Sequence, residues 1–147
     1  MSSLRESIAQ NIVASLKDQK VYKLGLVTRE PTQDLSQLAK TAFPCVVISS
    51  ANEIRNDITQ GSQQILRESL ADYQLTIYVV GGGKNLDTQK NELIEAVELI
   101  LDQDRTRGGN ALYTELISVD QNNSVQQPYS SMILTIRVAY HYTRGQA

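Results

Sequence analysis

The chain has 147 residues, with 14 Lys and Arg against 16 Asp and Glu, which gives a formal net charge of -2. That length fits one domain with one hydrophobic core, and the charge balance lacks the basic excess with which nucleic-acid-binding proteins neutralise phosphates. Hydrophobic residues make up 41% and charged residues 20%, which argues against a disordered chain. We therefore expect a single folded domain over residues 1–147.

The number of cysteines and the N-terminal sequence indicate the cellular compartment in which the protein is made. Cys45 is the single cysteine, so the chain cannot form an internal disulfide or a cysteine-based metal cluster. The first ten residues carry charges where a signal peptide needs an apolar segment, and no stretch approaches the roughly 20 apolar residues of a membrane span. We expect a protein made in the cytoplasm that has no membrane partner.

The first predicted element is an amphipathic helix. Ser3 and Glu6 have the spacing of a capping box, in which both side chains accept hydrogen bonds from free backbone N–H groups at the helix start. Apolar residues then recur at helical spacing, and the polar residues 17–20 end the pattern. The stripe predicted to face a sheet consists of Leu4, Ile8, Ala9, Ile12, Val13 and Leu16.

Two weaker elements and one buried strand follow in the sequence. Residues 21–27 form a candidate strand, and a short helix over residues 35–42 would end at Pro44. Residues 45–48 form a continuous apolar run that is rich in β-branched side chains. That run predicts a strand covered on both faces.

From residue 51 to residue 70 the chain becomes polar, around a turn centred on Gly61. Scattered isoleucines and leucines are too few to belong to the core, which predicts an extended arm or hairpin. Such side chains are costly to leave exposed, so we expect a partner surface to cover them. The predicted interface residues on the arm are Ile54, Arg55, Ile58, Ile65, Leu66 and Arg67.

A central strand, a second helix and a further strand come next. Residues 73–80 alternate between apolar and polar side chains, which is typical of a strand with one buried face. Asn85 or Asp87 can cap a helix whose inner face contains Leu93, Ala96, Val97, Ile100 and Leu101. The segment 105–109 predicts a turn that ends this helix, with Gly108 as C-cap or turn residue, and residues 113–119 predict another strand.

Residues 130–142 form the longest regular alternation in the chain. Ordinary strands run about 5–6 residues, so this one is expected to anchor the sheet, and any part beyond its partner strands would be free for assembly. Its predicted buried face consists of Met132, Leu134, Ile136, Val138, Tyr140 and Tyr142.

Together these elements predict an α+β fold: a single mixed, mainly antiparallel β-sheet with two helices packed on one face and a protruding polar arm or hairpin. The predicted core joins both helices to the sheet. It consists of Ile8, Ile12, Leu16, Leu75, Ile77, Val97, Ile100, Leu101, Leu134, Ile136 and Val138.

Candidates for catalysis or ligand binding are few. Residues 81–84 have the order of a phosphate-binding loop, with Gly81, Gly82, Gly83 and Lys84. A full motif would need glycine at Tyr78 and a hydroxyl at Asn85, so a strand-to-helix turn is favoured and a small nucleotide-binding module stays open as an alternative. His141 has no neighbouring carboxylate or cysteine in sequence. We expect a protein that is not an enzyme and that has no catalytic, cofactor-binding or metal-binding residues.

Taken in order, the elements resemble those of bacteriophage tail terminator proteins, also called tail completion proteins. The resemblance covers the first helix through Leu16, residues 43–48, the polar arm, residues 75–79, the second helix ending at Asp102, the turn at Gly108 and Gly109, and residues 134–140. The same outline is similar to other head–tail connector and minor tail proteins, which stay open as an alternative.

The resemblance implies a virion structural protein that forms a ring of six copies. Such a ring caps the tail tube at its head-proximal end, stops tube growth and joins the tail to the neck. The implied partners are other copies of the chain, the tail tube protein and a neck or head–tail connector protein, with a sheath as a further candidate. DNA would only pass through the channel, which suits the near-neutral charge, and assembly would take place in the host cytoplasm.

Overall fold

The computed structural model describes residues 3–17, 24–30, 42–58, 66–80, 86–121 and 129–143. In these ranges the elements are α1 (Leu4–Lys17), β1 (Val27–Thr28), β2 (Cys45–Asp57), β3 (Leu66–Val80), α2 (Leu86–Asp102), β4 (Tyr113–Asp120) and β5 (Tyr129–Thr143). The strands form a five-stranded sheet in the order β1-β2-β3-β5-β4. β1 runs parallel to β2, and the other neighbours are antiparallel. The predicted α+β fold with a mixed, mainly antiparallel sheet is confirmed.

Both helices share one hydrophobic core with one face of the sheet. Alternation places the odd-numbered residues of β3 and the even-numbered residues of β5 on this face, which we call the helix side. The other face is called the open side. All eleven residues of the predicted core are buried together, so that prediction is confirmed.

At the start of α1, the hydrogen bond that Ser3 accepts in the predicted capping box is present. The Glu6 N–H donates to Ser3 Oγ at 3.2 Å, which satisfies one of the free N–H groups at the helix start. The Glu6 carboxylate is engaged elsewhere, since it accepts hydrogen bonds from Arg29 at 2.5 Å and from Gln10 at 3.1 Å. The arginine bond lowers the pKa of Glu6 and links α1 to the segment after β1.

The segment before β2 is shaped by a close approach of two backbones. The Gly25 N–H donates to Pro44 O at 2.9 Å, and the Leu26 N–H donates to Ala42 O at 2.8 Å. A Cβ atom on Gly25 would lie 2.3 Å from the Ala42 carbonyl, so only glycine fits here. Of the strand predicted over residues 21–27, only Val27 belongs to β1; residues 24–26 are not in a strand, and residues 21–23 lie outside the described residues. The helix predicted over residues 35–42 lies outside the described residues up to residue 41.

The strands β2 and β3 are longer than the sequence suggests. β2 does not end at Ile48 but continues to Asp57, with a bulge between Ser50 and Glu53. β3 begins at Leu66, seven residues before the predicted start. The polar region is therefore a hairpin that continues two core strands, and cross-strand pairing overrides the weak β propensity of its Asn, Asp and Ser residues.

After α2 the chain turns around a buried arginine. Arg107 is fully buried, and its guanidinium donates hydrogen bonds to Leu101 O and Asp104 O at the end of the helix. These carbonyls would otherwise lack partners. Gly108 and Gly109 have φ angles of 71° and 87°, which confirms the predicted turn.

The core assignment can be tested at Ile136, which is 0% exposed in the middle of β5. We expect Ile136→Ala to lower the free energy of unfolding by about 2–5 kcal/mol, because burial energy is lost and a cavity remains. Chemical denaturation followed by circular dichroism measures this loss. The control is Ile117→Ala, since Ile117 is 40% exposed on β4 and should change stability by less than about 1 kcal/mol. A loss below about 0.5 kcal/mol for Ile136→Ala would contradict the assigned face.

Candidate functional site: the hairpin arm

The candidate site is the hairpin arm, by which we mean residues 53–58, residues 66–70 and the part of β5 beside them. Within it, Ile54 is opposite Leu70 and Asp57 is opposite Arg67. β5 flanks the other side of β3, with Ala139 opposite Leu70 and the ladder continuing to Thr143. The described part of the arm is thus a three-stranded extension of the sheet, which is more rigid than an isolated two-stranded hairpin.

A network of charged and aromatic side chains orders the helix side of the arm. Tyr140 donates its hydroxyl hydrogen to Glu53 Oε1 at 2.6 Å. Arg55 reaches the other carboxylate oxygen of Glu53, with Nε at 2.8 Å and a terminal nitrogen at 2.7 Å. The same guanidinium lies over the ring of Tyr142, 5.0 Å from its centroid, in a cation–π contact. One carboxylate therefore connects β2 to β5 across β3.

Burial and hydrogen bonding oppose each other at Glu53. Burial raises the pKa of its carboxyl, but the hydrogen bond from Tyr140 and the positive charge of Arg55 outweigh burial, and the net pKa lies below its ordinary value. For Tyr140, burial and the hydrogen bond to Glu53 raise the pKa of the hydroxyl. Both shifts keep a carboxylate acceptor facing a neutral hydroxyl donor, which is the charge state that the network needs.

The arm is also connected to the first helix. Tyr73 on β3 donates its hydroxyl hydrogen to Arg5 O at 3.2 Å, and the Arg5 guanidinium lies 3.7 Å from Glu53. Burial raises the pKa of Tyr73 to about 12, so this hydroxyl stays a donor at neutral pH. The base of the arm is therefore fixed to α1 as well as to the sheet.

The predicted interface residues divide between the two sides of the arm. Arg55 and Arg67 lie on the helix side, where Arg67 Nε is 2.7 Å from Asp57. Ile54 is on the open side, and it is 52% exposed. Ile58, which is 46% exposed, donates its backbone N–H to Leu66 O at 2.8 Å, and Leu66 itself is half-buried. Ile65 lies outside the described residues.

Sequence reasoning missed the residues that order the arm. Alternation in β5 does place Tyr140 and Tyr142 on the helix side, as predicted. The same alternation does not indicate that Glu53 and Arg55 lie against these tyrosines, because Glu53 and Tyr140 are 87 residues apart in the sequence. The available signal was the pair of tyrosines on the apolar face near the end of the last strand, since a buried tyrosine needs a hydrogen-bond partner for its hydroxyl.

The remaining candidates for chemistry are His141, Cys45 and the loop over residues 81–84. No group of three or more His, Cys, Asp and Glu side chains in the described residues is arranged to hold a metal ion. His141 Nε2 lies 3.5 Å from Glu68 Oε2 on an exposed surface, and Cys45 is buried. The alternative nucleotide site over residues 81–84 lies outside the described residues.

Comparisons with known proteins add no relative. No protein-family model matches the chain, and no curated protein matches it in sequence. Within the described ranges, no helix is both long and apolar enough to cross a membrane. The interpretation of the arm therefore depends on its own geometry.

The arm network predicts a loss of stability in acid. Because the folded state lowers the pKa of Glu53, its contribution is complete above the ordinary glutamate pKa of about 4.3 and is lost as the pH falls through the lower folded value. We expect Glu53→Gln to destabilise the protein at pH 7 and to flatten the dependence of unfolding on pH below about pH 4.5. Denaturant titrations across this range measure both effects.

The matched control for that prediction is Glu98→Gln, since Glu98 is exposed on α2. It should leave the acid dependence unchanged. Tyr140→Phe removes the donor alone and should reproduce part of the Glu53→Gln effect. If wild-type and Glu53→Gln proteins have parallel stability curves in acid, Glu53 does not hold the arm through its charge.

Proposed function

We propose that this chain is a virion structural protein of the tail terminator kind, which forms a ring at the head-proximal end of a phage tail tube. In this role the ring stops tube growth and joins the tail to the neck. The observation that carries the proposal is the hairpin arm. It is a three-stranded extension of the sheet that exposes the side chains of Ile54 and Ile58. The order of elements along the chain, which resembles that family, supports the same role.

The arm has the physical properties of an assembly contact. Its base is fixed by the Glu53 network and by Tyr73, so a partner would not have to order it and the entropic cost of binding is small. Ile54 on β2 and Ile58, which directly follows this strand, are both about half exposed. Covering such side chains with a partner is favourable, at about 25 cal/mol for each Å² of apolar surface removed from water.

The distribution of charge suits a subunit of a conduit. The outward side of α2 carries Glu92, Glu95 and Glu98, which are all exposed. Acidic surfaces repel the DNA backbone, so DNA passing through the ring would not adhere to such a surface. In the proposed assembly the arm contacts a neighbouring subunit or the tail tube protein, and another surface contacts a neck or sheath protein.

Deletion of residues 56–64 tests the proposal. It removes the outer part of the arm but leaves the pairing of β3 with β5 and the core untouched, so circular dichroism should show a folded monomer. The variant should lose either ring formation, measured by light scattering, or tail capping, measured as tail length by electron microscopy of complemented phage, depending on whether the arm contacts a neighbouring subunit or the tail tube. Identical subunits close into a ring when each contact repeats a rotation that divides the circle.

The control variant is Leu99→Ser, because Leu99 is as exposed as Ile54 but lies on α2. It should leave ring formation and tail length unchanged. Normal tail length and normal head joining in the deletion variant would rule out the arm as the assembly contact. If the wild-type protein is monomeric in solution but is found at the ends of assembled tails, the ring forms only on the tail tube.

A further inference from the structure

We infer that β4 of one copy of this chain pairs with the outer edge of β2 of the next copy, so that one sheet continues across both subunits. This inference names the subunit contact within the proposed ring and rests on the proposed function only for the closure of the ring. The contact itself is argued from the two edges of the sheet.

The first edge is β4, which is the last strand in the sheet order. No strand pairs with its outer side in the described part of the chain. Its sequence, YTELISVD, contains neither lysine nor proline, the residues that commonly protect an edge from pairing. Four large apolar side chains are exposed on it or directly before it: Leu112, Tyr113, Ile117 and Val119. An apolar edge of this kind is suited to pairing with another strand.

The second edge is the outer side of β2. The short strand β1 pairs with it only at Val46 and Val47. From Ile48 to Asp57, β2 has a partner on its β3 side and none among the described residues on its outer side. The described ranges therefore present two strand edges, one at each side of the same sheet, and each edge strand contains one bulge.

The two edges lie at the same level of the sheet. The registers place Tyr113 opposite Ala139, Ala139 opposite Leu70, and Leu70 opposite Ile54. Further down, Val119 is connected in the same way through Leu134 and Leu75 to Ile48. Residues 113–119 of β4 are therefore level with residues 48–54 of β2. That stretch begins just beyond the two residues that β1 covers.

The directions of the strands also match. β2, β3, β5 and β4 are antiparallel from each neighbour to the next, so β4 runs opposite to β2. Two copies placed side by side in the same orientation would bring β4 and β2 together as an antiparallel pair. The contact is head-to-tail, since it joins two different edges, and the twist between neighbouring strands rotates each copy relative to the last.

The side chains at the join are compatible. Tyr113 and Ile54 both project from the open side, at the two ends of one row across the sheet. In the paired copies they would become direct neighbours, with Cβ atoms about 4.5–5.5 Å apart, and each would cover the other. Glu115, two residues further along β4 on the same side, would face the bulge of β2 near Asn52, which carries no charge to repel it.

A cysteine pair tests the join directly. Within one subunit, Ile54 and Tyr113 are separated by three strand spacings, about 14 Å, whereas a disulfide needs Cα atoms closer than about 7 Å. The full chain carrying Ile54→Cys and Tyr113→Cys, treated with diamide, should therefore form disulfides only between subunits. We expect a ladder of covalent oligomers on non-reducing gels. Each single variant should stay monomeric on the same gels, because the contact joins position 54 to position 113 and joins neither position to its own counterpart.

The matched control is the pair Ile54→Cys and Leu99→Cys, because Leu99 is equally exposed but lies on α2. It should give no ladder. As a second measurement, Tyr113→Lys and Ile117→Lys should each weaken self-association by about tenfold or more, because each replaces an exposed apolar side chain of the β4 edge with a charged one, while the circular dichroism spectrum stays that of the wild type.

The outcomes separate the contact from the function. Rings that form without a ladder, or rings that both lysine variants leave intact, overturn the pairing of β4 with β2 and leave the proposed function standing. A chain that stays monomeric at high concentration and on tails also overturns the pairing. A ladder from a protein that neither caps tails nor alters their length supports the pairing and contradicts the proposed function.

Discussion

The pairing of β3 with β5 is the constraint on which the rest of the structure depends. Both strands have 15 residues, and their ladder runs without a register shift from Leu66 opposite Thr143 to Val80 opposite Tyr129. One end of the ladder carries the core that both helices cover, and the other end carries the arm. A slip of one residue would move Ile136 out of the core and Tyr140 out of the arm network at the same time.

On the helix side of this ladder, the type of buried side chain changes from the core to the arm. Where α1 and α2 cover the sheet, the helix side of β5 carries aliphatic side chains such as Ile136. Toward the arm it carries Tyr140 and Tyr142, whose rings are buried in the same core and whose contacts reach Glu53 and Arg55. A tyrosine supplies apolar area and a polar group together, so the sheet can extend past its helices without exposing a purely apolar face.

The two proposals assign different parts of β2 to different contacts. The level of Ile54 belongs to the join with a neighbouring β4, and Ile58, which directly follows β2, belongs to the contact with another partner. In this arrangement the hydrogen bonds of Glu53 to Arg55 and Tyr140 connect β2 to β5 and keep β2 in position for the join. In the proposed assembly, the regular pairing of β3 with β5 keeps the edges of β2 and β4 at the same level of the sheet.

The sequence by itself determined the elements whose pattern is local. The spacing of apolar residues in α1 and α2 and the alternation of β5 each predicted the buried side chains correctly, because a helix or strand with one apolar face specifies its orientation toward a core. The α+β class and the mainly antiparallel sheet followed from the same patterns. The polar composition of residues 51–70 also marked the region of the arm.

Only the tertiary structure decided what that region becomes. Residues 51–57 have little intrinsic preference for a strand, and they form one because β3 pairs with them and β5, from a distant position in the chain, holds β3 on its other side. Likewise, the contact of Glu53 with Tyr140, the burial of Arg107 and the common level of Ile54 and Tyr113 depend on register between strands far apart in sequence. Local patterns specify which side of an element is buried, but register across the sheet arises from the packing of the whole chain.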